Sequence, residues 1–169
     1  MEKVQPPLII TISLDEAAQV YFTELRNCYF PKHCNYLQAH LTLFHHLPEI
    51  ELIDQTLQSL SQQPLPDLAI TGVRNIGKGV AFTIESEALM ILHKQLQSAF
   101  DKYLISQDRQ KLWPHITVQN RVTAFKAAQT TALLSKDFKP FIVQGTGLQS
   151  WRYLNGPWEH RRDYPFVRL

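Results

Sequence analysis

Hydrophobic positions along the chain switch between a period of two and a period near 3.6, and the switches divide it into elements. Residues 8–13, "LIITIS", are a β-branched run that reads as a strand. Ser13 and Glu16 then supply the S-x-x-E pattern of a capping box, which predicts a helix start. Ala17, Val20, Tyr21, Leu25 and Cys28 follow at helical spacing, carrying that helix to about residue 28. "YFPKHCNY" is a loop broken at Pro31, and "AHLTLFH" is a second strand. Pro48 opens another helix with Leu52, Ile53, Leu57 and Leu60 on its buried face, and residues 67–77 form a third strand.

The order then repeats. Gly77-Lys78-Gly79 turns into the strand "VAFTIE", and a long helix covers roughly 87–105 on an apolar stripe of Leu89, Leu92, Leu96 and Phe100. After the loop "SQDRQKLWP" comes the strand "HITVQN", then a weaker helix from about Thr123 to Ser135. "PFIVQGTGLQSWRYL" is a long strand, Asn155-Gly156 a hairpin turn, and "PWEHRRDYPFVRL" a final strand or tail. Strand–helix–strand–helix–strand thus occurs twice, in approximate halves 1–77 and 78–169. The expectation is one α+β domain of two lobes spanning residues 1–169.

Bulk properties narrow the function classes. At 169 residues, 44% hydrophobic and a net charge of +2, the chain is globular and only slightly basic. That is a poor match to a protein coating duplex DNA, whose affinity comes from many phosphate contacts. It suits a small phosphate-bearing substrate or the end of an RNA strand. Cys28 and Cys34 are the only cysteines and read as two thiols in a reducing compartment. The early apolar run "PLIITISL" is too short to cross a bilayer and lacks a signal-peptide cleavage pattern, so a cytoplasmic protein is expected.

The chemistry lies in a repeated triplet. "AHLTLF", residues 39–44, has an echo in "PHITVQ", residues 114–119: histidine, then threonine two residues on, one in each half. With 7 His and 11 Thr in the chain, about half of one such triplet is expected by chance, and about a tenth of one with apolar residues after both. Strand residues i and i+2 share a face. His40, Thr42 and Phe44 therefore point one way, as do His115, Thr117 and Gln119, while Leu41, Leu43, Ile116 and Val118 turn to the core. His45 shares that core side and reads as a hydrogen-bonded structural group. Same-face side chains sit roughly 6.5–7 Å apart, so an imidazole and a hydroxyl can hold neighbouring atoms of one phosphoryl group. Near neutral pH one imidazole can accept a proton while the other donates one, and threonine hydroxyls can hold non-bridging oxygens. Phosphodiester cleavage needs those services and no metal or cofactor.

"HLTL" and "HITV", one per half, resemble the paired H-x-[ST]-x-hydrophobic motifs of the 2H phosphoesterase superfamily. That superfamily includes the bacterial 2′-5′ RNA ligase-like enzymes and RNA 2′,3′-cyclic phosphodiesterases. "LDEAAQVYFTELRNCYFP", "PHITVQN" and "WRYLNGPWE" agree, and the likeness spans nearly the whole chain. It implies a bilobal, pseudo-twofold α+β fold with a cleft between two antiparallel sheets and helices outside. It also implies that His40 and His115 are an acid–base pair, with Thr42 and Thr117 binding phosphate. Relatives acting on RNA ends often carry arginine five residues after the second histidine, where this chain has Asn120 followed by Arg121.

The remaining expectations follow. Phe44 and Gln119 line the pocket. Tyr36, Trp113, Trp151, Tyr153 and Trp158 offer stacking surfaces, though core packing is the ordinary role of an aromatic. Arg152, Arg161, Arg162 and Lys78 read as a solvated basic face. The leading activity is hydrolysis of 2′,3′-cyclic phosphates of nucleotides or RNA ends to 2′-phosphates, with 2′-5′ ligation as the reverse. Two alternatives stand beside it: a small nucleotide derivative such as an ADP-ribose cyclic phosphate as substrate, or an RNA- or nucleotide-binding module without turnover. No metal, duplex DNA or membrane partner is expected, and the chain is expected to be a monomer.

Overall fold

The computed structural model describes residues 3–168. Its elements are β1 (Leu8–Leu14), α1 (Glu16–Tyr29), β2 (Leu41–Leu47), α2 (Glu51–Leu60), β3 (Asp67–Asn75), β4 (Val80–Glu85), α3 (Glu87–Ala99), β5 (His115–Gln119), α4 (Ala124–Ser135), β6 (Phe141–Tyr153) and β7 (Trp158–Pro165). All strand pairings among them are antiparallel, in the order β2-β1-β6-β3-β4-β5 with β7 also on β6.

The thirteen-residue β6 makes two lobes from this sheet. Its first four residues, 141–144, pair with β3, and residues 145–152 pair with β1. One lobe is therefore β2, β1, the far end of β6, and β7; the other is β5, β4, β3 and the near end of β6. Each sequence half keeps its His-x-Thr strand but lends its last strand to the other lobe. The helices cross over too. From α1, Phe22 packs edge-on to Phe82 of β4 with ring centroids 5.3 Å apart. From α3, His93 stacks on Phe44 of β2 at 4.9 Å. Helices α1 and α3 thus each pack on a strand of the other half, and the apolar faces meet in one buried cluster from Leu8 through Phe166.

Local physics explains the departures from the sequence reading. Helix α1 is capped by Asp15, whose carboxylate accepts from Ala18 N at 2.9 Å and from Gln144 N at 2.8 Å. Ser13 is still extended, with its hydroxyl 2.9 Å from that of Thr146 and donating to Gly147 O at 3.1 Å. The buried face of α1 is Ala18, Phe22 and Arg26, a rotation away from the predicted stripe, and Val20 and Tyr21 are exposed. α3 stops at Ala99, well short of residue 105, and one 3-10 turn follows. Asn155 and Gly156 have φ of 61° and 145°, as the predicted hairpin turn requires.

Both motif strands carry a β-bulge at the same place. Between the pairs Ile10↔Phe44 and Thr11↔Thr42, β2 has one residue more than β1, namely Leu43. Between Val80↔Gln119 and Ala81↔Thr117, β5 has one more than β4, namely Val118. Each extra residue directly follows the motif threonine. At the second bulge the chains approach so closely that a Cβ on Gly79 would lie 1.8 Å from Gln119 O, so only glycine fits there.

Candidate active site

The two motif histidines are held in the same way. His40 Nδ1 donates to Gln38 O at 2.8 Å, and His115 Nδ1 donates to Trp113 O at 2.7 Å. In both, the acceptor is the carbonyl two residues earlier. A carbonyl can only accept, so in the neutral ring Nδ1 carries the proton and Nε2 the lone pair. An indole supports each ring: Trp113 stacks on His115 at 4.1 Å and 17°, and Trp158 of β7 sits 4.6 Å from His40 at a tilt. Arg74 lies over the Trp113 ring at 5.0 Å.

His40, Thr42, His115 and Thr117 line one cavity of about 380 Å³, together with Trp113 and Trp158. This is a size in which small ligands are held. A second cavity of about 490 Å³ adjoins it across His40 and Trp158, and Tyr36, Gln38, Gln149 and Trp151 line its walls. Tyr36 is 63% exposed at its rim.

Burial dominates the electrostatics. It holds His40 down to about 4, against the upward pull of the Gln38 carbonyl and with a further push from the Arg26 charge and then from His115 and His45. Burial also lowers His115, opposed by the Trp113 carbonyl and reinforced by His45. Both rings are thus held toward the neutral form in the free protein, and both line the cavity. An anion bound beside them would oppose this, because its charge favours the imidazolium form.

Phe44 and Gln119 are not in the cavity wall, and this corrects the strict alternation assumed from sequence. Each lies beyond the bulge that follows its threonine, so each flips to the other face. Phe44 is fully buried between His93 and Phe100. Gln119 is equally buried and donates through Nε2 to Thr130 of α4 at 2.9 Å. The same flip carries His45 out of the core side and into the cavity wall. Its ring is nonetheless hydrogen-bonded, as expected of it, to Asp108 at 2.8 Å. Asn120 accepts from the Arg121 backbone through Oδ1, and Arg121 takes a φ of 61°; neither lines the cavity.

The groups that secure the bulges have no motif signature. Bulge carbonyls and amides lose their ladder partners and must find others. His93 Nε2 donates to Leu43 O at 3.2 Å. Asp108 accepts from the backbone N–H groups of His45 and His46 at 2.9 to 3.1 Å. At the second motif Arg26 Nη1 donates to Thr117 O at 3.2 Å, while Arg26 Nε donates to Asn35 Oδ1 at 2.8 Å. Burial lowers the Arg26 guanidinium to about 10. A lone arginine in a helix, a histidine on an apolar stripe and an aspartate in a loop carry no spacing by which sequence could single them out.

The remaining candidate residues lie as follows. Arg152 and Arg161 are not a solvated basic face: both are tied to Glu49, and Arg161 also to Asp54. Trp151 Nε1 donates to Thr11 Oγ1 at 2.9 Å. Cys28 and Cys34 are free thiols, the first exposed and the second buried. Among the described residues no group of three or more His, Cys, Asp or Glu side chains has metal-holding geometry, and no helix is long and apolar enough to cross a membrane.

Comparison with known proteins bears on this geometry. Residues 14–157 match the family model described as the 2′-5′ RNA ligase superfamily. Among solved structures, TT0787 of Thermus thermophilus is similar with a TM-score of 0.68 and 16% identity, covering 96% of this chain and 98% of that one. E. coli LigT, solved in complex with 3′-AMP, is similar with a TM-score of 0.61 and 16% identity, covering 98% and 100%. A further structure named only as a phosphoesterase gives 0.62 at 16% identity, covering 98% and 100%. At such identities these likenesses speak for the fold. No curated protein matches the sequence.

Proposed function

Since this chain belongs to the 2′-5′ RNA ligase superfamily, whose members are 2H phosphoesterases, we propose that it hydrolyses 2′,3′-cyclic phosphates of nucleotides or RNA ends to 2′-phosphates, without a metal, in the cytoplasm. The observation that carries the reading is the shared cavity: two imidazoles with free Nε2 atoms and two threonine side chains, brought from opposite lobes to one pocket.

One ring takes a proton from water as its oxygen attacks phosphorus; the other, as imidazolium, gives a proton to the departing 3′ oxygen of the ribose. Thr42 and Thr117 donate to the non-bridging oxygens, where charge accumulates in the transition state. Two neutral rings become one neutral and one charged when the substrate anion enters, so the site takes up its catalytic proton with its substrate. The adjoining aromatic cavity supports a nucleotide as the group attached to the phosphate, because base stacking on Tyr36, Trp151 or Trp158 is sequence-tolerant. Run backwards, the same geometry would join a cyclic phosphate to a 5′-hydroxyl end.

The direct test is incubation of the purified protein with a nucleoside 2′,3′-cyclic phosphate and with an RNA bearing that end, with products separated by chromatography. Formation of the 2′-phosphate, undiminished by EDTA, is expected; binding of the cyclic nucleotide without product on long incubation would leave a binding module instead. A second expectation concerns pH. Catalysis requires one neutral and one protonated ring, and both rings are held below their usual value of 6.5 in the free protein. The plot of kcat/KM against pH should therefore peak below 6.5 and fall about tenfold per unit on its basic side. The kcat plot should be displaced upward, because bound phosphate raises both rings. A kcat/KM optimum above about pH 7.5 would contradict this electrostatic picture.

A further inference from the structure

The catalytic cavity has one wall that the proposed mechanism does not use. Beyond the first bulge, His45 faces the cavity alongside Gln107 and Lys111. Its ring is not loose. Nδ1 is 2.8 Å from Asp108 Oδ1, and Asp108 is a carboxylate with only 1% of its side chain exposed. Asp108 is itself fixed by the His45 and His46 backbone amides, and its loop is pinned by Gln97 Nε2, which donates to the carbonyls of Asp108 and Gln110 at 2.9 and 3.0 Å.

A carboxylate on one ring nitrogen fixes which way the other points. His45 Nε2 is thereby directed outward, 46% of the side chain is accessible, and the Gln107 amide nitrogen lies 3.4 Å from it. The Asp108 carboxylate is engaged on the protein side by the His45 ring and by two backbone amides, so it does not oppose an anion at the far edge of the ring. The His45 ring edge, the Gln107 amide N–H groups and the Lys111 ammonium then line one wall, and such groups can donate to phosphate oxygens. His45 lines the same cavity as His40 and His115, which places this wall beside the reacting phosphate.

We propose that His45, oriented by Asp108 and joined by Gln107 and Lys111, is a second phosphate subsite that binds the 5′-side phosphate of the nucleotide whose cyclic phosphate is cleaved. This rests on the cyclic phosphodiesterase reading and adds to it a substrate class. The preferred substrate carries two phosphates on one ribose, one reacting and one held. A nucleoside cyclic phosphate with a 5′-hydroxyl lacks the second. The 5′-side phosphate has two sources, the internucleotide diester of an RNA end and the phosphate of a small nucleotide derivative, and their chemistry at the subsite is shared.

Binding tests this without any turnover. Calorimetric titration at constant ionic strength would compare adenosine 2′-phosphate, adenosine 2′,5′-bisphosphate and a dinucleotide ending in a 2′-phosphate, on the wild type and on His45→Gln. In the wild type the bisphosphate should bind about 10- to 100-fold more tightly than the monophosphate, the range of one charge-assisted hydrogen bond. In His45→Gln, with its melting transition retained, that ratio should fall to about threefold or less. A dinucleotide that gains as much as the bisphosphate identifies an RNA end as the source; gain by the bisphosphate alone identifies a small nucleotide. A wild-type ratio near one, or a ratio unchanged in His45→Gln, overturns the subsite. Absence of hydrolysis with the ratio intact would instead count against the catalytic reading alone.

Discussion

His40→Ala and His115→Ala are each expected to lower kcat on a 2′,3′-cyclic nucleotide by about 10²- to 10⁴-fold, the usual contribution of a positioned acid or base. Neither loss is expected to be a folding effect. Both rings are half-buried and open onto the cavity. Each gives one hydrogen bond to a carbonyl of its own strand approach, from Nδ1 to Gln38 O and to Trp113 O, so each variant frees one carbonyl next to the cavity. Circular dichroism melts should therefore stay within a few degrees of the wild type, while turnover collapses. The double variant should be scarcely slower than either single one, because residues that act as a unit are not additive. Trp113 and Trp158 variants should show smaller losses, since those rings orient the imidazoles and transfer no proton. Turnover within about tenfold of wild type in either histidine variant would remove the paired mechanism, whatever the likeness to other phosphoesterases.

The sequence pointed to the elements, and to the four residues that line one cavity, for a simple reason. A period of two or 3.6 records which side of an element is dry, and burial of apolar surface is what positions the element. His40, Thr42, His115 and Thr117 stood out because each interrupts such a pattern in a repeated way. The same rule failed one residue after each threonine, where a bulge breaks the alternation and sends Phe44 and Gln119 inward. Nothing in "TLFH" or "TVQN" marks an inserted residue, since a bulge answers to the neighbouring strand. Arg26 misled the helix reading for the opposite reason. It is a charged group on the buried face of α1, satisfied by Asn35 and Thr117, so a stripe drawn through apolar residues alone was rotated away from the true one. Asp108 and His93 escaped notice because their partners are backbone groups 50 or more positions away. Long-range polar pairing has no period.

The same blindness applied to the C-terminal arginines, and there it leads to the largest expected effect on stability. Asp54→Asn is expected to cost about 3 kcal/mol at pH 7, near the lower end of what breaking a buried ion pair costs. Asp54 on α2 accepts from Arg161 Nη1 and Nη2 at 2.6 and 2.7 Å and from the hydroxyl of Tyr164, a residue that is 1% exposed. Arg161, 11% exposed at its side chain, also donates through Nε to Glu49 at 2.9 Å, and Glu49 is gripped by Arg152 as well. An amide in place of the carboxylate leaves a buried guanidinium with one charge partner in place of two. These arginines hold both carboxyls below their usual range, Glu49 at about 2. A carboxylate whose pKa is depressed by folding contributes stability that is complete above its unfolded value and is lost as pH falls through the folded one. The gap between wild type and Asp54→Asn in urea unfolding should thus be full at pH 7 and shrink below pH 3.8, the ordinary value for Asp54, because protonation makes the wild type resemble the variant. The consequence reaches the cavity. Arg161 and Tyr164 lie on β7, and β7 begins with the Trp158 that supports His40. Asp54→Asn should therefore lose activity on heating before it loses helix signal. A gap that is as wide at about pH 2.5 as at pH 7 would mean that the cluster is held by packing and not by charge.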